Sequence, residues 1–192
     1  MIKSYTSLKP KTIVYQGKTN KDHEIVIRYP MKTDSAEMLR YINTLSKEQT
    51  FILFQGEQLT IKEETAYLRS LLNKMKKGNA MMLLVFYHNQ LIGESNVEMR
   101  DKATKHEGSF GISIAREFRN EGIGKILIQV TLDEAKKTLS NIRIMTLGCF
   151  ANNPLAYELY KKFNFIEYGK LPKGILHKGT YIDHIFMYKQ AQ

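Results

Sequence analysis

GSFGISIAREFRNEGIGKILIQVTLDEAKK, residues 108–137, passes from strand to tight turn to helix, and the reading of the fold starts from that passage. Phe110, Ile112 and Ile114 alternate with Ser109, Gly111 and Ser113, the period-two pattern of a strand, here with one unusually small face. A bare face lets a ligand lie against backbone. After Ala115 the chain becomes charged, and Arg119-Asn120-Glu121-Gly122-Ile123-Gly124-Lys125 opens a helix with the apolar stripe Ile123, Ile126, Leu127 and Val130. The first N–H groups of a helix lack intrahelical partners and the dipole there is positive, so a diphosphate is favoured where no side chain bars its approach. The two glycines remove that bar and Arg119 adds charge, although two glycines at a helix start also serve close packing alone.

Two phosphate signatures fail on this stretch. A Walker A loop needs Gly where Arg119 stands and Ser or Thr where Ile126 stands, and the dinucleotide fingerprint from Gly122 needs Gly at Leu127. What remains is Arg-x-x-Gly-x-Gly after a strand.

Composition sets the bounds. A chain of 192 residues, 43% hydrophobic and 25% charged, is ordinary globular usage and predicts a single domain over 1–192, with residues 1–23 as an N-terminal hairpin extension and 24–188 as the core. No apolar run reaches membrane-span length and MIKSYTSLKPK lacks the apolar centre of a signal peptide, so a cytoplasmic protein with no membrane partner is expected. Cys149 is the single cysteine, and the five histidines have no zinc spacing, so no metal is expected. A net charge of +10 favours anionic partners. The basic residues are scattered, with no run beyond Lys-Lys pairs, which argues against a nucleic-acid stripe and for solvated faces or local phosphate attraction.

In chain order, residues 11–17 and 23–30 read as a hairpin closed by Pro30. Asp34 to Glu37 has capping-box spacing ahead of a helix to about residue 46, and Thr60 to Glu63 repeats it ahead of a second helix with the stripe Ile61, Leu68, Leu71, Leu72 and Met75. The loop between them carries Phe51, Ile52, Leu53 and Phe54, the candidate surface for a homodimer. AMMLLVFY, residues 80–87, is a strand buried on both faces, and 91–100 is a strand with Glu94, Asn96 and Glu98 on its polar face. After the central strand and helix come a strand over 142–150 and a short helix with Asn153 as N-cap, Pro154 first and Asn164 ending it left-handed. Two further strands, from 165 and from 180, are joined through Pro172 and a Lys178-Gly179 turn.

The Arg119–Gly124 loop, followed at the right distance by ANNPLAYELYKKFNF (151–165), resembles the paired motifs of the GNAT superfamily of N-acetyltransferases, with Asn164 where that family usually has Gly. The resemblance covers about residues 24–188 and implies an α/β fold, a mixed, mostly antiparallel sheet flanked by helices, with two central strands splayed over the acyl donor acetyl-CoA. It implies Ile112, Ser113 and Ile114 along the pantetheine, Arg119, Asn120, Glu121, Gly122, Ile123, Gly124 and Lys125 around the pyrophosphate, and Asn153 reaching the cofactor arm. It also implies Tyr160 as the proton donor to the departing thiolate.

The chemistry implied is attack of an amine on a thioester, which needs a neutral amine, a polarised carbonyl and a proton for the leaving sulfur. The strand position where many family members carry Glu is Ser109 here, so Glu94 and Glu98 are the candidate bases, beside a water chain needing none. Cys149 reads as a small packed residue more readily than as an acyl carrier, which favours direct transfer. The acceptor is a primary amine of a small molecule, an amino acid or a protein N-terminus. A non-catalytic acyl-CoA-binding regulatory module is the alternative, and a basic nucleic-acid-binding domain a third.

Overall fold

The computed structural model describes residues 13–191; residues 11–12 of the expected first strand, and the N-terminal stretch before them, lie outside the described residues. The strands β1 (Ile13–Lys18) and β2 (Glu24–Arg28) form the expected hairpin, and α1 (Ser35–Glu48) and α2 (Ile61–Lys76) follow it. Next come β3 (Ala80–Tyr87), β4 (Gln90–Met99) and β5 (Glu107–Ile114), then α3 (Ile123–Thr138), β6 (Ile144–Phe150), α4 (Pro154–Lys162), β7 (Ile166–His177) and β8 (Thr180–Gln190). One eight-stranded sheet runs β1-β2-β3-β4-β5-β6-β8-β7, antiparallel everywhere except between β5 and β6. Among the described residues no helix is long and apolar enough to cross a membrane.

Strand alternation decides which helices cover which face. Ser113 of β5 meets Tyr41 of α1, their hydroxyl oxygens 2.9 Å apart. Phe110, an odd number of residues away and so on the opposite face, packs edge-on against Tyr160 of α4. Thus α1, with α2 beside it, lies over one face, while α4 and α3, which meet at Gly124 and Leu159, lie over the other. β3 is buried along nearly its whole length between them, as its unbroken apolar run requires.

The two capping-box spacings part company. At α2, Thr60 Oγ1 accepts from the Glu63 N–H at 3.3 Å and Glu63 accepts from the Thr60 N–H at 2.8 Å. At α1 the carboxylate of Asp34 makes no such cap bond; it takes both arms of Arg28, at 2.7 and 2.8 Å, and the Met31 N–H at 2.6 Å. A bidentate charge-assisted pair outweighs a neutral cap. The left-handed turns fall as expected at Asn164 (φ 62) and at Lys178-Gly179 (φ 50 and 77). β7 runs on through Pro172, however, with a register shift between Leu171 and Ile175 that accommodates the missing N–H.

The apolar loop after α1 is fastened inward. Phe51 packs against Phe150 and His177. The ring of His177 receives the Asn152 amide on Nδ1 at 3.0 Å and meets the Gln49 carbonyl with Nε2 at 2.9 Å, an arrangement that puts the ring proton on Nε2. Of the four apolar residues Leu53 stands out most, 80% exposed, and Phe51 keeps 39% of its surface open.

Both partners of the Arg28–Asp34 pair are largely buried, so removing one leaves a lone buried charge. Asp34→Ala should lower unfolding stability by about 3 kcal/mol in urea titration without changing the slope; a loss below about 0.5 kcal/mol would show that the pair is energetically a surface pair.

Candidate active site

The site begins where the sheet opens. β5 pairs with β6 only through Glu107–Ile144, Gly108–Met145 and Ser109–Thr146, and beyond Ser109 the two strands part. From Phe110 to Ile114 the β6-facing edge of β5 therefore has no strand beside it, while its other edge stays on β4.

At the end of that gap the chain makes a short turn of helix (Arg116–Phe118) and enters α3 through two left-handed residues, Asn120 (φ 64) and Gly122 (φ 84). The first N–H of this region to reach a backbone carbonyl is that of Ile126, on Gly122 at 3.2 Å; those of Asn120 to Lys125 have no acceptor among the described residues. A row of unpaired donors at a helix start is an anion site. Gly122 is required by its backbone angle, and a Cβ there would also come within 3.2 Å of the Asn20 side-chain amide. At Gly124 a Cβ would only touch Leu159, at 3.5 Å.

The charged side chains of the loop turn away from this row and brace it. Arg119 donates from Nε to the Ile114 carbonyl at 2.9 Å and grips Glu48 of α1 with both terminal nitrogens, Nη2 at 2.9 Å. Glu121 is buried beneath the β1–β2 turn, where it accepts from Thr19 Oγ1 at 3.0 Å and meets His23 Nδ1 at 2.8 Å and the Lys21 ammonium at 3.3 Å. Burial alone would raise its carboxyl, but hydrogen bonds from His23, Thr19 and Lys21 outweigh burial and hold the pKa below its ordinary value. The Asn20 N–H adds a bond to the Glu121 carbonyl at 3.0 Å.

On the α1–α2 face, Glu94, Asn96 and Glu98 of β4 stand opposite Ser113, Gly111 and Ser109 of β5. The small face of the central strand thus lines the cleft under α1 and α2. The Asn96 side chain lies across Gly111, where a Cβ would be 2.6 Å from its Oδ1. Glu98 is ion-paired to Lys74 at the rim. Glu94 makes no ion pair or hydrogen bond with a described residue. Protein surrounds it on most sides while water still reaches it, and burial, with the nearby charge of Glu64 adding to it, pushes its pKa up to about 7.

Across the gap, α4 presents Tyr160, nearly buried between Phe110 and Phe165, its hydroxyl without a partner among the described residues. Burial raises its pKa far above the ordinary tyrosine value, with the neighbouring Cys149 adding to it, so the phenol keeps its proton. Cys149 is itself buried, and burial pushes its thiol up to about 11, which leaves little thiolate for an acyl carrier. Asn153 caps α4, accepting the Ala156 N–H on Oδ1 at 3.2 Å, and its amide nitrogen has no acceptor among the described residues. Beside the loop, a groove of about 540 Å³ between α3 and α4 is bordered by Lys125, Lys136, Lys162 and Lys189. A second hollow, about 460 Å³, lies near the other end of α3 among Leu139, Ser140, Ile142 and Arg143, away from both loop and cleft.

Comparison with known proteins supplies the context for this geometry. The sequence profile of the Acetyltransferase (GNAT) family matches residues 41–165, most of the chain. The chain belongs to the GNAT family. Over 106 residues it is 26% identical to the L-amino acid N-acetyltransferase AaaT of Escherichia coli, a match spanning 55% of this chain and 65% of that relative's length. Among solved structures it is similar to a GNAT acetyltransferase from Streptococcus pneumoniae, with a TM-score of 0.79, 26% identity, and coverage of 87% of this chain and 99% of that one. The fold is shared too with the acetyltransferase yncA from Salmonella typhimurium, solved with acetyl-CoA, at a TM-score of 0.76 and 16% identity over 88% of this chain and 94% of that one.

In this GNAT chain the freed edge at Ile112 to Ile114 leads along the gap to the Asn120–Lys125 backbone, with Glu94 beside Ser113 on one face of the sheet and Tyr160 against Phe110 on the other. Arg119, Glu121 and Glu98 sit nearby with their charges engaged by Glu48, the hairpin turn and Lys74. Sequence reasoning missed Glu64 of α2, buried above the β4–β5 face. The signal was present: Glu64 lies in register with Leu68, Leu71 and Met75, while Ile61, assigned to that stripe, is 50% exposed.

Two outcomes follow from the backbone angle and the raised carboxyl. Gly122→Ala should cost about 1–2 kcal/mol of stability from the left-handed strain alone, whereas Gly124→Ala should be neutral or slightly stabilising in the same melt; equal losses would refute the distinction. Glu94, with a folded pKa of about 7 against ~4.3 unfolded, binds more proton when folded, so its contribution to stability falls as pH rises between those values. Glu94→Gln should therefore gain thermal stability over the parent at about pH 8 and lose that advantage by about pH 5.

Proposed function

We propose that the protein transfers the acetyl group of acetyl-CoA directly to a primary amine, an acyl-CoA-dependent N-acetyltransferase. The observation that carries this reading is the row of unpaired N–H groups from Asn120 to Lys125, opening onto a gap between parted strands. The donors suit a diphosphate, the free edge of Ile112, Ser113 and Ile114 suits an extended amide-bearing arm, and the lysine-bordered groove beside α3 suits further phosphate. The amide nitrogen of Asn153 can donate to the same arm. Bound there, the cofactor would supply a thioester whose carbonyl is open to attack.

The chain's own residues then supply the proton chemistry. Glu94, with a pKa near neutrality, takes the proton that an ammonium must lose before its nitrogen can attack. As the new C–N bond forms and the C–S bond breaks, Tyr160 gives its proton to the departing sulfur, and the second proton that the nitrogen sheds to become an amide passes to water, from which the tyrosinate is reprotonated. Its hydroxyl, without a partner among the described residues, and its raised pKa suit a donor held in the protonated state. Glu98, closed by Lys74 at the rim, leaves Glu94 as the base on this strand.

The test is a thiol-release assay with acetyl-CoA and primary amines. Turnover should rise with pH through about 7 and level off, and Glu94→Gln should flatten that limb and lower kcat by about 100-fold or more. Tyr160→Phe should lower kcat on a similar scale while calorimetric affinity for CoA stays at the parent value. A Tyr160→Phe enzyme turning over at the parent rate would remove the tyrosine from the mechanism, and a parent that binds CoA without releasing thiol to any amine would leave a binding module.

A further inference from the structure

The cleft beneath α1 and α2 carries more negative charge than the proton transfer needs. Glu94 rises into it from β4, and Glu64, in the first turn of α2, is 3% exposed and has no hydrogen bond or ion pair from its carboxylate to a described residue. Its oxygens are not among the sealed, unpaired atoms of the described residues, which belong to Gln55, Glu121 and Thr131. Glu64 belongs to the inward stripe of α2, which packs on α1 and β3, so it lies on the same side of the sheet as Glu94. Burial raises the Glu64 carboxyl, and after burial the charge of Glu64 helps raise Glu94.

Among the described residues, three basic groups bordering this face are engaged elsewhere. On β4, Glu98 holds Lys74; on α1, Glu37 holds Arg40 and Glu48 holds Arg119. What else faces the cleft is neutral: Tyr41, hydrogen-bonded to Ser113, Asn96 across Gly111, and Tyr67. Protonated or charged, the Glu64 carboxyl has no partner among the described residues, so its open oxygens must be met by water or a ligand. A buried charge without a partner is costly unless a ligand brings the counter-charge. In a chain of net charge +10, two unpaired carboxylates in one cleft select for a cation.

We propose that Glu64 is the second-cation site of the acceptor pocket, and that the acceptor is a small aliphatic diamine: one ammonium held at Glu64 while the other end is delivered to Glu94. This rests on the amine-acetylation reading above. The nitrogen at Glu94 loses one proton to that carboxylate, forms its bond to the acetyl carbon as the C–S bond breaks, sheds its second proton to water and leaves as the mono-acetylated diamine, while the sulfur takes the Tyr160 proton and departs as free thiol and the tyrosinate is reprotonated from water. A free α-amino acid fits this lining poorly, because its carboxylate, next to the reacting nitrogen, would face the carboxylate of Glu94.

The experiment compares kcat/KM for diaminoalkanes from propane to hexane with n-alkylamines of the same length, in thiol release. The parent should favour the diamine of the best length by about tenfold or more. Glu64→Gln should bring the ratio close to one, and Glu64→Asp, which keeps the charge, should hold it above the Gln variant. A parent ratio near one, or an undiminished ratio in Glu64→Gln, overturns the assignment; the parent ratio decides even if the Gln variant fails to fold. If neither series releases thiol from the parent, the amine-acetylation reading itself falls, and this inference with it.

Discussion

The parting of β5 from β6 after Ser109 and Thr146 is the constraint on which the site depends. A closed sheet would satisfy both edges of β5 and leave no room between Phe110 and Cys149. Because the pairing stops after three residue pairs, a run of strand backbone is left with an unused edge, a state that water or an extended ligand must satisfy. The same opening lets α4 approach, so that Tyr160 and Phe165 pack on Phe110 at the mouth of the gap. It also carries the chain after Ile114 straight to the entrance of α3, which places unpaired N–H groups at the end of an unpaired strand edge.

Holding such a loop open requires anchors that do not occupy it. Arg119 and Glu121 do this in opposite directions, Arg119 toward the end of β5 and the last turn of α1, Glu121 down onto the β1–β2 turn. Their charges are spent on protein partners, so from Asn120 to Gly124 the loop presents main-chain dipoles rather than side-chain charge, and Lys125 borders the groove beyond. The carboxylate of Glu48 at the C-terminus of α1 would be unfavourable alone, since that end of a helix already carries partial negative charge, and the guanidinium of Arg119 offsets it. The hairpin extension accordingly belongs to the site's support: Thr19, Asn20, Lys21 and His23 all touch the loop residue Glu121.

Much of this was legible in the sequence because it is local. Backbone angle and residue type are tied closely at Gly122, Asn164 and Lys178-Gly179, strand alternation is tied to face in β4 and β5, and the Thr60–Glu63 box involves only neighbours. What was not legible was set by partners distant in sequence. Asp34 has the spacing of a cap and is taken instead by Arg28 from the preceding strand. The pairing of Arg119 with Glu48 joins residues 71 apart. The packing of Phe51 on Phe150 and His177 likewise joins distant elements.

Glu64 shows how a charge hides in a pattern. The heptad-like run Glu64, Leu68, Leu71, Met75 gives the buried stripe of α2, and a reading that admits only apolar residues puts Ile61 in place of Glu64. Helix geometry does not distinguish side chains by polarity; it fixes which positions face inward, and a carboxylate found there carries a desolvation cost that nothing else in α2 offsets. Placed under α1 beside Glu94, that cost is shared by the cleft as a whole, as the raised carboxyl of Glu94 records. A ligand that brings positive charge lowers it and one that brings negative charge raises it, so the same pair that stores the unfavourable energy sets the sign of what the cleft admits.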